Sequence, residues 1–166
     1  MNGKTIPHSQ TAKYLGMTLD AKLRWKMHVK KKREELGLKY RQLYWLMGRK
    51  SALSTHNKLV LYNQVLKLVW TYGIQLWGST KPSNIAIIQR FQDKVLRAIV
   101  NAHWYVRNAD LHRDLKMEMV TAEIQRFARK HEERLHRHDN VEAMQLLGNS
   151  ALLRRLNRIK PFQLAN

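Results

Sequence analysis

The sequence predicts a mainly α-helical fold, a bundle of helices behind a short N-terminal β-hairpin or strand. Three observations predict it. Apolar residues recur every three or four positions in stretches centred on Tyr40, Leu66, Ile88 and Phe127. Residues that start helices precede these stretches, and Gly48 closes the first. The spacing of a strand is confined to the N-terminal part, around Tyr14, Met17 and Leu19. A chain of 166 residues, 44% of them apolar, builds one ordinary domain, or one domain and a tail, with a core.

Taken in order, the stretch "NGKTIPHSQTAKYLGMTLD" is rich in turn formers and reads as a small hairpin, which cannot stand as a sheet alone. Asp20 occupies an N-cap position ahead of a long helix that buries Leu36, Tyr40, Leu43 and Met47. Lys32, Glu35, Lys39 and Gln42 lie on its wet face, and Glu35 pairs with Lys39. Ser54 caps a second helix, expected to be the most buried, in which Leu59, Tyr62, Leu66, Val69, Gly73 and Leu76 form a stripe widened by Val65, Trp70 and Trp77. Gly73 inside it implies a close approach of another helix or a kink. Ser83 caps a third helix, with Ile85, Ile88, Val95 and Ile99 inward and Gln89, Arg90, Asp93 and Arg97 outward. A loop from Asn101 to Asn108, a short helix capped by Asn108, a helix opened by Thr121, and a last turn or two from Asp139 or Asn140 to Gly148 complete the pattern. A loosely ordered basic tail follows.

The charge is the strongest compositional signal. Lys and Arg number 31 against 12 Asp and Glu, a formal charge of +19, far beyond what solubility needs. A polyanion is the natural partner: nucleic acid, an anionic membrane surface or an acidic protein. With no cysteine there are no disulfides and no thiolate metal sites. The most apolar stretch, "LVLYNQVLKLVWTYGIQLWG", is broken by Asn63, Gln64, Lys67 and Gln75 and falls short of a membrane span. The N-terminus has no apolar core of a signal peptide.

Most constellations that suggest chemistry dissolve on spacing. His131 and His136, in "HEERLHRHD", stand five apart and face different sides of a helix, so no metal site is expected. Asp110 and Asp114 flank His112 at acid–base spacing, but carboxylates at a helix start are favoured by its dipole and Arg113 is at hand. No nucleophilic triad, Gly-rich phosphate loop or acidic dyad is present, so neither catalytic residues nor a cofactor are expected. The basic cluster is different. Lys22, Arg24, Lys26, Lys30, Lys31, Lys32 and Arg33 crowd about three turns of one expected helix, a density that repels itself unless an anion compensates. A solvated face is the ordinary reading of such a run, but the total charge and a second basic field from Arg126 to Arg158 point to phosphate. Neutralising six phosphates implies roughly a thousandfold loss of affinity between about 50 and 200 mM salt. Trp104, Tyr105 and Arg107 in "NAHWYVRNADLH" have the chemistry to stack on a base or sugar, against the commoner role of plugging the core under a loop.

"AKYLGMTLDAKLRWKMHV", "YWLMGRKSALSTHNKLVLYNQVLKLVWTYGIQLWG", "IQRFQDKVLRAIVNAHWYVRN" and "LHRDLKM", in that order, resemble the C-terminal end of reverse transcriptases of non-LTR retrotransposons, closest to jockey-type mobile elements. The resemblance runs from about Asn2 to Glu118, and the ordered set with "WTYGIQLWG" is its specific part. It implies that residues 1–20 end the palm, with Tyr14, Leu15 and Gly16 as primer grip; that 21–118 form a thumb-like helical domain; and that 119–166 are a basic extension. It also implies an RNA/DNA template–primer as partner, with the remaining palm and fingers; an intracellular, nuclear location is expected, and no membrane partner, since only Trp25 and Met27 stand as bulky apolar residues beside the lysines. The family's metal-binding aspartates lie upstream of anything present here, so the chain is expected to be a fragment that is not an enzyme by itself. Relatives usually carry proline where His103 stands. An alternative, from another class, is a helical protein-interaction module in which Trp70, Trp77 and Ile88 meet the rest of the polymerase.

Overall fold

A computed structural model describes residues 9–140. The predicted mainly α architecture is found, with a two-stranded antiparallel hairpin at its N-terminal side. The expected turn ending at Gly148 and the basic tail lie outside the described residues.

Strand β1 (Thr11–Tyr14) pairs with β2 (Met17–Asp20) in a register that sets Tyr14 opposite Met17. Leu15 and Gly16 make the tight turn with φ of 45° and 72°, the left-handed pair that two-residue hairpins demand. Helix α1 (Lys26–Met47) starts six residues after Asp20 rather than directly behind it. Asp20 ends β2, and its carboxylate accepts from the backbone N–H groups of Lys22, Arg24 and Trp25 at 2.9–3.1 Å, so it organises a loop instead of capping a helix. Leu36, Tyr40 and Met47 are buried as expected and Leu43 half-buried. Glu35 pairs with Lys32 at 3.2 Å, not with Lys39.

Gly48 does stop α1, and the turn beyond it takes a cation: the buried Lys58 ammonium donates to Gly48 O at 3.1 Å and Ser51 O at 3.3 Å. Ser54 caps α2 (Thr55–Leu61) by accepting from Asn57 N–H at 3.3 Å. The chain continues through a π-helical segment (Tyr62–Lys67) and α3 (Leu68–Thr71), then breaks at Tyr72 and Gly73 before α4 (Ile74–Trp77). The single helix expected here is thus interrupted. Gly73 takes φ 67°, and a Cβ on it would lie 2.7 Å from Met17 Sδ of the hairpin. The close approach is by a strand, not by a helix. Trp77 Nε1 donates to the carbonyls of Trp70 and Tyr72 at 3.1 and 3.2 Å, satisfying backbone that the break leaves open. The break also resets the helical phase, so Leu76 is exposed instead of completing the buried stripe.

Gly73→Ala is expected to cost about 2 kcal/mol or more, because alanine is strained at positive φ and its methyl collides with Met17. Urea unfolding measures this, and an unchanged midpoint would mean that the hairpin does not rest on Gly73.

Helix α5 (Pro82–Ile99) begins one residue before Ser83, with Lys81 at the cap and Pro82 pre-set for the first turn. It packs along α1 and buries Ile88, Val95 and Ile99. Helices α6 (Asn108–Asp114) and α7 (Val120–His136) follow, each starting within a residue of expectation. Gln89 on α5 caps α7 by accepting from Val120 N–H at 2.8 Å. Trp70, Trp77 and Ile88 are no more than 1% exposed. They form the core and present nothing to a partner, which overturns the surface role considered for them.

Candidate nucleic-acid interface

The hairpin is fastened at its turn. Tyr72, freed from helical geometry by the break, donates its hydroxyl to Leu15 O at 2.7 Å while its ring lies against Gly16. At the base of the hairpin, Thr18 N–H donates to His28 Nδ1 at 3.2 Å. Tyr14 and Leu15 project outward, 61% and 66% exposed, so the tip offers apolar side chains on a fixed backbone.

Lys22 and Arg24 sit in the loop before α1, not on a helix with the other cations. Asp20 holds that loop from one side, and Thr80 Oγ1 donates to Arg24 O at 2.9 Å from another. Both side chains are exposed. Lys26, Lys30 and Lys31 are exposed on the first turns of α1, at the same end of the helix. Lys32 and Arg33 turn back to the protein: Lys32 meets Glu35 and the Tyr72 ring, at 5.6 Å from its centroid, and Arg33 covers the Phe91 ring at 4.7 Å. Of the seven cations singled out, five reach solvent at the hairpin end of α1.

Trp104 and Arg107 lie elsewhere, in the turn after α5. Arg97 clamps that turn, donating from Nε to Asn108 Oδ1 at 2.9 Å, from Nη1 to His103 O at 2.9 Å, and from Nη2 to Val106 O. His103 and Tyr105 stack with their rings 4° from parallel. Trp104 is 89% exposed, so it does not plug the core beneath the loop. Arg107 is also exposed and reaches Asp110 at 3.9 Å. Asp110 and Asp114 both bond to Arg113, at 3.1 and 3.3 Å.

A further basic wall escaped sequence reasoning. Between α1 and α5 runs a groove of about 670 Å³, lined among others by Arg41, Arg49, Arg90 and Lys94, with Tyr40 and Tyr44 as aromatic wall. Its cations come from α1, the turn after it and α5, about fifty residues apart in sequence, and only the packing of α1 on α5 brings them together. Arg90 and Arg97, both on the outward face of α5, were the one legible sign.

No family model and no solved structure matches the chain. Three curated proteins of Drosophila melanogaster do. It is 44% identical over 156 residues to the probable RNA-directed DNA polymerase from transposon X-element, covering 94% of this chain and 17% of that protein. To the probable RNA-directed DNA polymerase from transposon BS it is 37% identical over 158 residues, covering 95% and 17%. To the RNA-directed DNA polymerase from mobile element jockey it is 35% identical over 175 residues, covering 100% and 19%. The chain is homologous to part of the jockey-type RNA-directed DNA polymerases.

It spans under a fifth of the length of these relatives. The expectation that the chain is not an enzyme is corrected by them, because the jockey-type proteins it matches are named as polymerases. Absence of a catalytic motif within so short a stretch described the stretch and not the protein type.

The contact between hairpin and α1 is sensitive to acid. Burial, with Lys32 and Lys31 nearby, lowers the His28 pKa to about 4 from 6.5, although Glu35 opposes this. A histidine whose folded pKa is depressed binds its proton more readily when unfolded. Stability is therefore expected to fall as pH drops from about 6.5 to about 4, by up to about 3 kcal/mol. His28→Gln, which does not titrate, is expected to flatten this part of the profile in urea unfolding between neutral and mildly acidic pH. An unaltered slope would assign the acid response to other groups. His112 acts in the opposite sense: its bond to Asp93 at 2.9 Å raises its pKa against burial, so its contribution is present at low pH and lost as pH rises through the raised value.

Proposed function

We propose that this chain is the part of a jockey-type RNA-directed DNA polymerase that grips the backbone of the template–primer. Lys22, Arg24, Lys26, Lys30 and Lys31 would neutralise phosphates, and the turn Tyr14–Gly16 would stand at the primer. One observation carries the reading: five exposed cations share the end of α1 on which the hairpin is docked. Ammonium groups and scattered guanidinium groups position a duplex without reading its sequence. On this reading residues 1–20 close the palm and the helices from residue 21 form the thumb, with the palm and fingers of the polymerase as protein partners.

The test is binding of an RNA–DNA hybrid duplex, followed by fluorescence anisotropy across a salt series. Steep salt dependence that weakens when Lys26, Lys30 and Lys31 are neutralised supports the grip, and a salt-independent affinity contradicts it.

A second reading has its own support. Leu38 and Trp45, seven residues apart on α1, are 55% and 74% exposed and form an outward apolar ridge. Such a ridge suits packing against another part of the polymerase. It leaves the basic surface free, and the two readings are compatible.

A further inference from the structure

We infer that the groove between α1 and α5 is a separate binding site for single-stranded nucleic acid, with phosphates on Arg41, Arg49, Arg90 and Lys94 and bases against Tyr44 and Trp104. The inference rests on reading the chain as a nucleic-acid-binding part of a polymerase, but on different residues from those of the grip.

Charge is the first argument. Among the described residues none of these four cations has an acidic partner, whereas Lys32, Lys67, Arg113 and Arg126 all do. Four like charges around one cavity raise the local potential and favour an anion there. Asp93 also lines the groove, but His112 Nε2 and Asn108 Nδ2 hold its oxygens at 2.9 Å each. Three of the four cations are arginines, whose planar forks match phosphate oxygens in pairs.

Shape and aromatic surface are the second argument. A volume of about 670 Å³ falls within the range, about 300–1,000 Å³, of sites that take a ligand the size of a nucleotide. Tyr44 is half exposed at the wall and fixed edge-on by Tyr40, with ring centroids 5.7 Å apart. Arg97 and Asn108 line the far end, and Arg97 binds the loop that carries Trp104 and the stacked pair His103–Tyr105. These rings therefore stand on a loop bonded directly to a residue that lines the groove. Exposed flat rings serve unstacked bases, which a duplex does not offer and an acidic peptide does not have. Eighteen residues of helix separate Lys26 from Tyr44, about 27 Å, so the grip and the groove can be occupied together.

The test uses the whole chain with a labelled oligouridine and, in parallel, an RNA–DNA hybrid. Arg90→Gln with Lys94→Gln, both exposed positions, is expected to weaken the single strand at least about tenfold and to reduce its salt slope by roughly 1.4. Hybrid affinity should stay within about twofold of the parent's, because the duplex rests on the grip's phosphate contacts. Tyr44→Leu and Trp104→Ala should weaken the strand about tenfold with the slope unchanged, since stacking releases no counterions. Thermal melts establish that each variant is folded.

Equal weakening of strand and hybrid would overturn the inference by making the groove more duplex surface. Unchanged strand binding in folded groove variants would overturn it outright. It also falls if oligoglutamate displaces the strand as well as unlabelled oligouridine does, or if uridine monophosphate alone saturates the groove at comparable concentration. Neutralising Lys26, Lys30 and Lys31 provides the separation: hybrid binding untouched there, with the groove results intact, sinks the grip and leaves the groove.

Discussion

Lys67→Met is expected to destabilise the protein by about 3 kcal/mol, lowering the melting temperature by roughly 10 °C. Lys67 ends the π-helical segment and its ammonium bonds to Glu123 of α7, a residue only 2% exposed. Arg126 supplies the other partner of that carboxylate, from Nε at 3.0 Å, but its own side chain is half exposed. Burial by itself would push the Glu123 pKa up; Lys67 and then Arg126 outweigh it, and the net direction is down. The pair therefore contributes above the ordinary carboxylate range, and the contribution is lost as pH falls through the lowered folded value. Methionine keeps the bulk of Lys67 and removes its charge, leaving a buried carboxylate with one partner. The double variant Lys67→Met with Glu123→Met should recover most of the loss, because the cost lies in the orphaned charge rather than in missing attraction. Chemical unfolding of the two single variants and the double one gives the coupling directly. A Lys67→Met protein within about 0.5 kcal/mol of the parent would show that Arg126 alone suffices.

Affinity for an RNA–DNA hybrid is expected to fall roughly five hundredfold between about 50 and 200 mM salt if the five exposed cations of the grip each displace a counterion. Seven cations crowd this stretch of the sequence, and six neutralised phosphates would imply a larger loss. The structure withdraws Lys32, which pairs with Glu35, and Arg33, which lies on Phe91. Neutralising Lys26, Lys30 and Lys31 to glutamine should reduce the slope of log affinity against log salt by roughly 2.7. These side chains are exposed on α1, so the variants should melt like the parent. Doing the same to Lys32 should barely change the slope, and a change as large as that from Lys30 would mean that its contacts with Glu35 and Tyr72 open when nucleic acid arrives. Measurement of binding at four or more salt concentrations decides both points.

The helices were legible wherever a burial stripe was long and simple. Helix α5 shows this best, with Ile88, Val95 and Ile99 on the expected face and a cap displaced by two residues, from Ser83 to Lys81. The hairpin was legible from the spacing of Tyr14, Met17 and Leu19. Asp20 misled because an aspartate before an apolar run has two uses. It can cap a helix or gather the N–H groups of a turn, and local sequence does not choose between them. Gly73 within the apolar stripe implies a close approach of a helix or a kink, and the structure has the break there with a strand as the neighbour. Its positive φ became visible only once Met17 of the hairpin lay over it. A core plug is the commoner role for an aromatic such as Trp104, and its exposure depends on Arg97 holding the loop from a different element.

Homology and charge were thus settled by the chain itself. The ordered motifs and the +19 excess are properties of which residues occur and in what order, and these suffice to relate it to jockey-type polymerases. Which cations are exposed was decided by the tertiary structure alone. Lysines adjacent in sequence are divided by the face of the helix they occupy, while Arg41, Arg49, Arg90 and Lys94 become neighbours only because α1 packs along α5. Electrostatic interaction depends on distance through space and on solvent, and a linear sequence fixes neither before the core has formed.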